Sequence, residues 1–95
     1  MKPRLTLEYC PKCGWLLRSA WLAQELLTTF TNELAEVALR PATVPGTFKI
    51  YLNEEVIFDR KPAGVSGSFP ELKALKQQVR DLIAPEKSLG HSDRA

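Results

Sequence analysis

Two thiols stand three positions apart in Tyr9-Cys10-Pro11-Lys12-Cys13-Gly14-Trp15, and they are the only cysteines in the chain. At this spacing the sulfurs can close one small ring, so the pair can pass between dithiol and disulfide. Attack by one thiolate on a disulfide or sulfenic acid gives a mixed disulfide, and the second cysteine releases it to leave Cys10–Cys13 oxidised. The chemistry needs a thiol ionised near neutral pH. Lys12 puts a positive charge beside it, and the start of a helix adds roughly 0.3 to 1 kcal/mol in favour of negative charge. These charges do not choose the attacking sulfur, because both cysteines fall within the expected first turn.

Other uses of the pair are weaker. A ring this short removes little entropy from the unfolded chain, which argues against a structural staple. Two cysteines also make half of a zinc site that dimerisation would complete. The sequence shows no further ligand set, since the only histidine, His91, lies in a polar, unpatterned stretch. Reduced cysteines packed as small hydrophobes sit poorly with Pro11-Lys12 between them. The thiols are therefore expected to act with no metal and no cofactor.

Something must hold the pair. Arg4 to Tyr9 alternates, with Leu5, Leu7 and Tyr9 on one side and Arg4, Thr6 and Glu8 on the other, as in a strand with one buried face. Pro11 suits the first turn of a helix, which is predicted from Lys12 or Cys13 to Phe30. On a helical wheel Leu16, Ala20, Ala23, Leu27 and Phe30 fall in one arc, flanked by Trp15 and Leu26, and this arc is the expected core face. Leu17 and Trp21 lie outside it, and an apolar pair on an outer face marks a dimer or partner surface.

A second strand is expected over Glu36–Arg40 with Val37 and Leu39 inward, although Leu34–Leu39 also fits a helical pattern. Pro41, Pro45 and Gly46 break the chain into a loop. Thr47–Leu52 and Val56–Lys61 alternate around an Asn53-Glu54 turn and predict an antiparallel hairpin, with Val56 and Phe58 inward. Gly64–Gly67 reads as a flexible connection. The last helix is predicted from Ser68, with Pro70 in its first turn, an apolar stripe of Leu72, Leu75, Val79, Leu82 and Ile83, and Pro85 as its stop. Residues 1–85 form one domain, and Glu86–Ala95 reads as a disordered tail.

The order is strand, helix, strand, strand, strand, helix. The first strand, helix and second strand make a crossover unit with parallel strands. A parallel sheet covered on both faces reads as continuous apolar runs, and these strands alternate instead. Both helices are therefore expected on one face of a four-stranded mixed sheet, in an α/β two-layer sandwich of the thioredoxin-like kind, with Thr6, Glu8, Lys49, Tyr51 and Asp59 on the open face.

With 95 residues, 44% of them hydrophobic, the chain can bury one core but not two. Its net charge of +2 is spread along the sequence, which offers no basic stripe for nucleic acid. No apolar run reaches membrane-spanning length, so a cytoplasmic protein is expected. In that compartment such a pair stays largely reduced unless it is turning over.

Three motifs in this order, Cys10-Pro11-Lys12-Cys13, Gly46-Thr47-Phe48-Lys49-Ile50 and Gly67-Ser68-Phe69-Pro70-Glu71-Leu72-Lys73, resemble the selenoprotein W family, the SelT/SelW/SelH or Rdx group, over about Leu5 to Ile83. The chain looks like a bacterial, cysteine-containing member. The resemblance implies a thioredoxin-like fold and a thiol redox role linked to glutathione or a dithiol reductant, acting on protein thiols or disulfides. Selenium-containing relatives carry selenocysteine at the position of Cys13, which names Cys13 as the attacking residue, whereas thioredoxin logic names Cys10. Thioredoxin-like folds also place a proline loop across from the dithiol. By position that loop is Val44-Pro45-Gly46, though Pro45 is equally well read as an ordinary loop proline. With Pro11 and Lys12 these residues make the expected substrate surface. A redox-regulated adaptor using Leu17 and Trp21 is the alternative.

Overall fold

In the computed structural model, which describes residues 1–60 and 69–90, the first strand β1 (Arg4–Tyr9) lies inside a four-stranded sheet. It pairs in parallel with β2 (Glu36–Pro41) and antiparallel with β3 (Phe48–Leu52), and β3 pairs antiparallel with β4 (Glu55–Asp59). The strand order is β2-β1-β3-β4. Helix α1 (Leu16–Thr29) connects β1 to β2, and α2 (Leu72–Ile83) follows β4. Both helices pack on one face of the sheet, and a Lys76–Glu25 ion pair at 3.0 Å joins them.

Alternation in β1 and β3 does what the sequence implies. Leu5, Leu7, Tyr9, Phe48 and Ile50 point into the core, where they meet Leu22, Leu26, Phe30, Leu75 and Val79. Full burial of each large apolar side chain contributes about 1.5 to 3 kcal/mol. Four expectations about facing fail, one of them Leu39, which was expected inward but is exposed on the edge strand β2, where only Val37 packs against the core. In α1 the buried residues are Ser19, Leu22, Ala23 and Leu26, while Leu16 and Leu27 are exposed. The core face is thus rotated by about 70° from the predicted arc, on a wheel of 100° per residue. Leucines occupy both arcs, so the hydrophobic pattern alone does not set the phase.

The third miss is Val56. A bulge between Ile50 and Tyr51 pairs Ile50 with Phe58 but Tyr51 with Val56, leaving Ile57 as the extra residue. One inserted residue reverses the parity of what precedes it. Val56 therefore shares the open face with Tyr51 and is exposed, while Phe58 stays inward. The unpaired Ile57 carbonyl accepts a hydrogen bond from Gln78 Nε2 of α2 at 2.7 Å. Fourth, Leu82 is exposed and does not belong to the stripe of α2.

Helix starts also shift. Glu71, with ψ 132°, is still extended and caps α2, so Pro70 precedes the helix rather than opening it. The connection expected at Gly64–Gly67 lies outside the described residues, as do Ser68 and His91. Contacts continue past residue 85 into the stretch read as a tail. Leu89 packs against the core, Lys87 pairs with Glu33 at 3.4 Å, and Arg80 Nη1 donates to the Lys87 carbonyl at 2.9 Å.

The open face has its own polar layer. Thr6, flanked in register by Ala38 and Tyr51, is only 2% exposed. Tyr51 Oη donates to Glu8 Oε1 at 2.9 Å, and the Arg40 guanidinium sits 5.3 Å from the centre of the Tyr51 ring. The bond to Glu8, followed by burial, pushes the Tyr51 phenol above its ordinary value of 10.0. A proton held more tightly in the folded state supports folding at pH values below the unfolded value, and that support is lost as pH rises through the folded value. Tyr51→Phe should therefore cost about 1 kcal/mol in urea denaturation at pH 7. It should also flatten the fall in stability expected of the unaltered protein as pH rises above 10.0.

Candidate redox site

β1 delivers Cys10 to the site as the residue after Tyr9. Cys10 is 1% exposed, held at the end of an interior strand, and the Ala42 N–H donates to the Tyr9 carbonyl at 2.7 Å just before it. Pro11 then opens a turn closed by Gly14 N–H donating to the Pro11 carbonyl at 3.2 Å. Gly14 has φ +74°, a left-handed value that separates this turn from the helix. The first helical residue is Leu16, with Trp15 as N-cap. Pro11 and Cys13 are therefore not in the first helical turn, which corrects the expected start at Lys12 or Cys13. The reason is local: a left-handed residue cannot continue a right-handed helix.

This turn brings the sulfurs together. Cys10 and Cys13 form a disulfide with their Cα atoms 5.4 Å apart. The two are unequal, since Cys10 is buried while Pro11, Lys12, Cys13 and Gly14 are all exposed. Helix α1 has no side-chain cap and no acidic residue in its first turn, so its end carries an uncompensated partial positive charge. That charge reaches Cys13 from two residues beyond the turn and is weaker than for a cysteine at the helix start. The Lys12 ammonium, exposed between the cysteines, supplies the nearer positive charge. In this oxidised form neither sulfur is a thiolate, the form that ligates zinc. Among the described residues no group of three or more His, Cys, Asp or Glu side chains is placed to hold a metal ion.

The loop after β2 meets the dithiol turn. Cys10, Pro11 and Lys12 line a cleft of about 60 Å³ with Ala42, Thr43 and Pro45. Pro45 thus shares the cleft with Cys10, and no described peptide bond is cis. Val44 is exposed beside it, and Gly46 has φ +80°, which turns the chain into β3. Leu17 and Trp21 stand on the outer side of α1, 85% and 48% exposed.

Arg18 and Arg60 were not singled out from the sequence, nor were the contacts that Trp15 and Phe69 make at the site. Trp15 and Phe69 meet edge to face with centroids 5.1 Å apart, and Phe69 stacks on buried Phe48 at 4.3 Å. Arg60 lies over Trp15 at 4.5 Å and Arg18 over Phe69 at 4.9 Å. Phe69 stands in the third family motif and was otherwise read as part of a helix start. Its role depends on contacts with residues more than twenty positions away, which no local pattern announces.

The Rdx family model matches residues 4–81. The chain is 51% identical to a protein from Bordetella parapertussis of known crystal structure, with a TM-score of 0.78 over 87% of this chain and all of that one. It is also 51% identical to a selenoprotein W-related protein from Vibrio cholerae, with a TM-score of 0.76 over 86% of this chain and 98% of that one. No curated protein matches.

The left-handed turn residue is open to a direct check. A Cβ at Gly14 would meet nothing within 4 Å, so Gly14→Ala tests backbone conformation without a clash. The substitution should destabilise by about 1 to 2 kcal/mol in denaturant titration, and Gly14→Asn by less. An unchanged midpoint for Gly14→Ala would show that the turn does not need the left-handed residue.

Proposed function

The chain belongs to the Rdx family, and from that premise we propose that it is a thiol–disulfide redox protein in which Cys13 exchanges with the substrate and Cys10 resolves. The observation that carries this reading is the inequality of the sulfurs, with Cys13 exposed and Cys10 1% exposed at the end of β1. Exchange requires three sulfurs to line up, so a substrate must reach the one it bonds to, and only Cys13 offers that approach.

In the reducing direction the Cys13 thiolate attacks a substrate disulfide, and one substrate sulfur leaves as a thiolate. The Cys10 thiolate then attacks Cys13 Sγ in the mixed disulfide. The second substrate sulfur leaves, and the protein keeps the Cys10–Cys13 bond. Two electrons have passed to the substrate. Glutathione or a dithiol reductant returns them, and the substrates are protein thiols or disulfides. The cleft lined by Cys10, Pro11, Lys12 and Pro45 receives the substrate backbone, with Val44 and Gly46 at its edge. The glutathione link follows the resemblance to selenoprotein W. The setting is cytosolic redox homeostasis, where a reducing thiol pool resets such a pair. No helix among the described residues is long and apolar enough to cross a membrane.

Mixed-disulfide trapping tests the assignment. Reduced Cys10→Ser protein, mixed with glutathione disulfide, should accumulate one glutathione adduct at Cys13 by intact mass, at least about tenfold faster than Cys13→Ser does at Cys10. Faster labelling of Cys13→Ser would move the attack to Cys10. An adduct on neither variant would remove the exchange mechanism.

A second reading has its own observation in the exposure of Leu17 and Trp21. Here the dithiol is a switch, and the outer face of α1 holds a second copy or another protein. It expects binding that depends on redox state and is lost in Leu17→Glu with Trp21→Glu, measured by sedentation velocity or pull-down with both redox forms. Turnover by a protein that shows no such redox-dependent binding favours the first reading.

A further inference from the structure

Elsewhere in the molecule Arg40 lies over the Tyr51 ring, but several cations sit against carboxylates, Lys76 on Glu25, Arg80 on Asp81 and Lys87 on Glu33. At the redox site they do not. Arg60 is held on the face of Trp15 and Arg18 on the face of Phe69, and neither makes an ion pair among the described residues. No Asp or Glu occurs from Tyr9 to Gln24. Lys12 adds a third cation, also without an ion pair among the described residues.

An aromatic face holds a guanidinium differently from a carboxylate. The ring attracts the cation through its quadrupole but carries no net charge, so the full positive charge still acts on whatever approaches, and the N–H donors stay available. The two rings are themselves fixed, edge to face at 5.1 Å, with Phe69 stacked on buried Phe48. Trp15 is two residues from Cys13, so the stack stands beside the exposed sulfur within about two residue lengths of chain. The stack thereby positions two cations, neither in an ion pair among the described residues, on rings of which one, Trp15, begins two residues from Cys13.

We infer that Arg18 and Arg60 set the substrate's charge: the thiol that exchanges at Cys13 carries carboxylates near its sulfur and is chosen over neutral and cationic thiols. The inference rests on the proposed exchange at Cys13. In the resetting step the incoming thiolate bonds to Cys13 Sγ while the Cys10–Cys13 bond breaks, and Cys10 leaves as a thiolate that takes a proton from water. A second thiol then attacks the external sulfur, releasing Cys13 as a thiolate and leaving the external disulfide. Charge on the incoming thiol affects the approach. A unit charge about 7 Å away in water changes a rate about threefold, so two arginines together give about tenfold. Salt weakens this over a Debye length of about 8 Å at physiological strength.

The test follows opening of the Cys10–Cys13 disulfide in the full-length protein by intact mass. The probes are 3-mercaptopropionate, 2-mercaptoethanol and cysteamine, with each rate corrected for thiolate fraction and intrinsic nucleophilicity. At low salt the unaltered protein should react about tenfold faster with 3-mercaptopropionate than with 2-mercaptoethanol, and more slowly still with cysteamine. The preference should shrink towards parity at 1 M salt, where the Debye length is about 3 Å. It should fall several-fold, to what Lys12 alone sustains, in the Arg18→Gln, Arg60→Gln double variant and persist in Arg18→Lys, Arg60→Lys, which keeps the charge. Equal corrected rates in the unaltered protein at low salt, or a preference untouched by the Gln pair, would overturn the inference. If the Gln pair does not fold, the single variants Arg18→Gln and Arg60→Gln, each expected to lower the preference about threefold, decide the matter. If no thiol opens the disulfide, the exchange reading falls and this one with it, whereas opening by all three without preference sinks only this one. A cysteine peptide flanked by glutamates, against its lysine-flanked twin, separates the sources. Preference there extends the substrate to acidic protein segments, and preference confined to the small thiols assigns it to small anionic thiols.

Discussion

Everything at the redox end depends on one sulfur being fixed inside the protein while the other is outside. Cys10 follows directly from an interior strand paired on both sides, and burial of Leu5, Leu7 and Tyr9 locks that strand in register. A one-residue slip would turn the leucines to the open face, so the strand has one stable alignment, and Cys10 has one position. The chain then has to put Cys13 within bonding distance and still leave it in solvent. A turn closed onto Pro11 and ended by left-handed Gly14 does both. Had the helix begun at Cys13, that residue would have gained more from the helix dipole. The protein takes exposure of the sulfur over that gain.

The aromatic stack is the second support. Trp15, the N-cap residue of α1, is held by Phe69 and Arg60, so the helix is anchored just ahead of its first residue. That anchor accounts for the phase of α1, because Ser19, Leu22, Ala23, Leu26 and Phe30 follow Trp15 around the wheel onto the core. Leu16, Leu17, Trp21 and Leu27 are then left facing out. The exposed apolar side of the helix and the buried order of the core are thus two outcomes of one contact. Phe69 needs the extended approach to α2 that Glu71 shows, which is why the helix does not begin at Pro70.

Much of this was legible in the sequence, for identifiable reasons. Strict alternation in Arg4–Tyr9 and Phe48–Leu52 carries strand identity and facing together, since period 2 admits only two choices and only one buries the leucines. Helix existence was equally plain. Its phase was not, because leucines fill more than half of its circumference and the deciding contact is with a residue over fifty positions away. Val56 was misassigned because a bulge is one residue of irregularity that no alternation records. The helix start was placed early because proline is usual in a first turn, while the positive φ of Gly14 is a property of the folded chain. At the site, Cys10, Cys13 and Pro45 stood out by residue type. The arginines did not, since a cation on an aromatic ring looks in sequence like any solvated surface charge.

Charge at this end of the molecule and the thiol chemistry act on each other. A thiolate at Cys13 is favoured by any positive charge that stays uncompensated nearby, and ion pairing of Lys12, Arg18 and Arg60 with carboxylates would remove that support. Packing the arginines on rings meets two needs at once, since it shields the apolar faces of Trp15 and Phe69 from water and leaves the charge in place. A carboxylate introduced at the outer helix position beside Cys13 would satisfy a guanidinium better than a ring does, and it would do so by weakening the positive field near the sulfur. The absence of acidic residues from Tyr9 to Gln24 is therefore the sequence counterpart of the exposed sulfur.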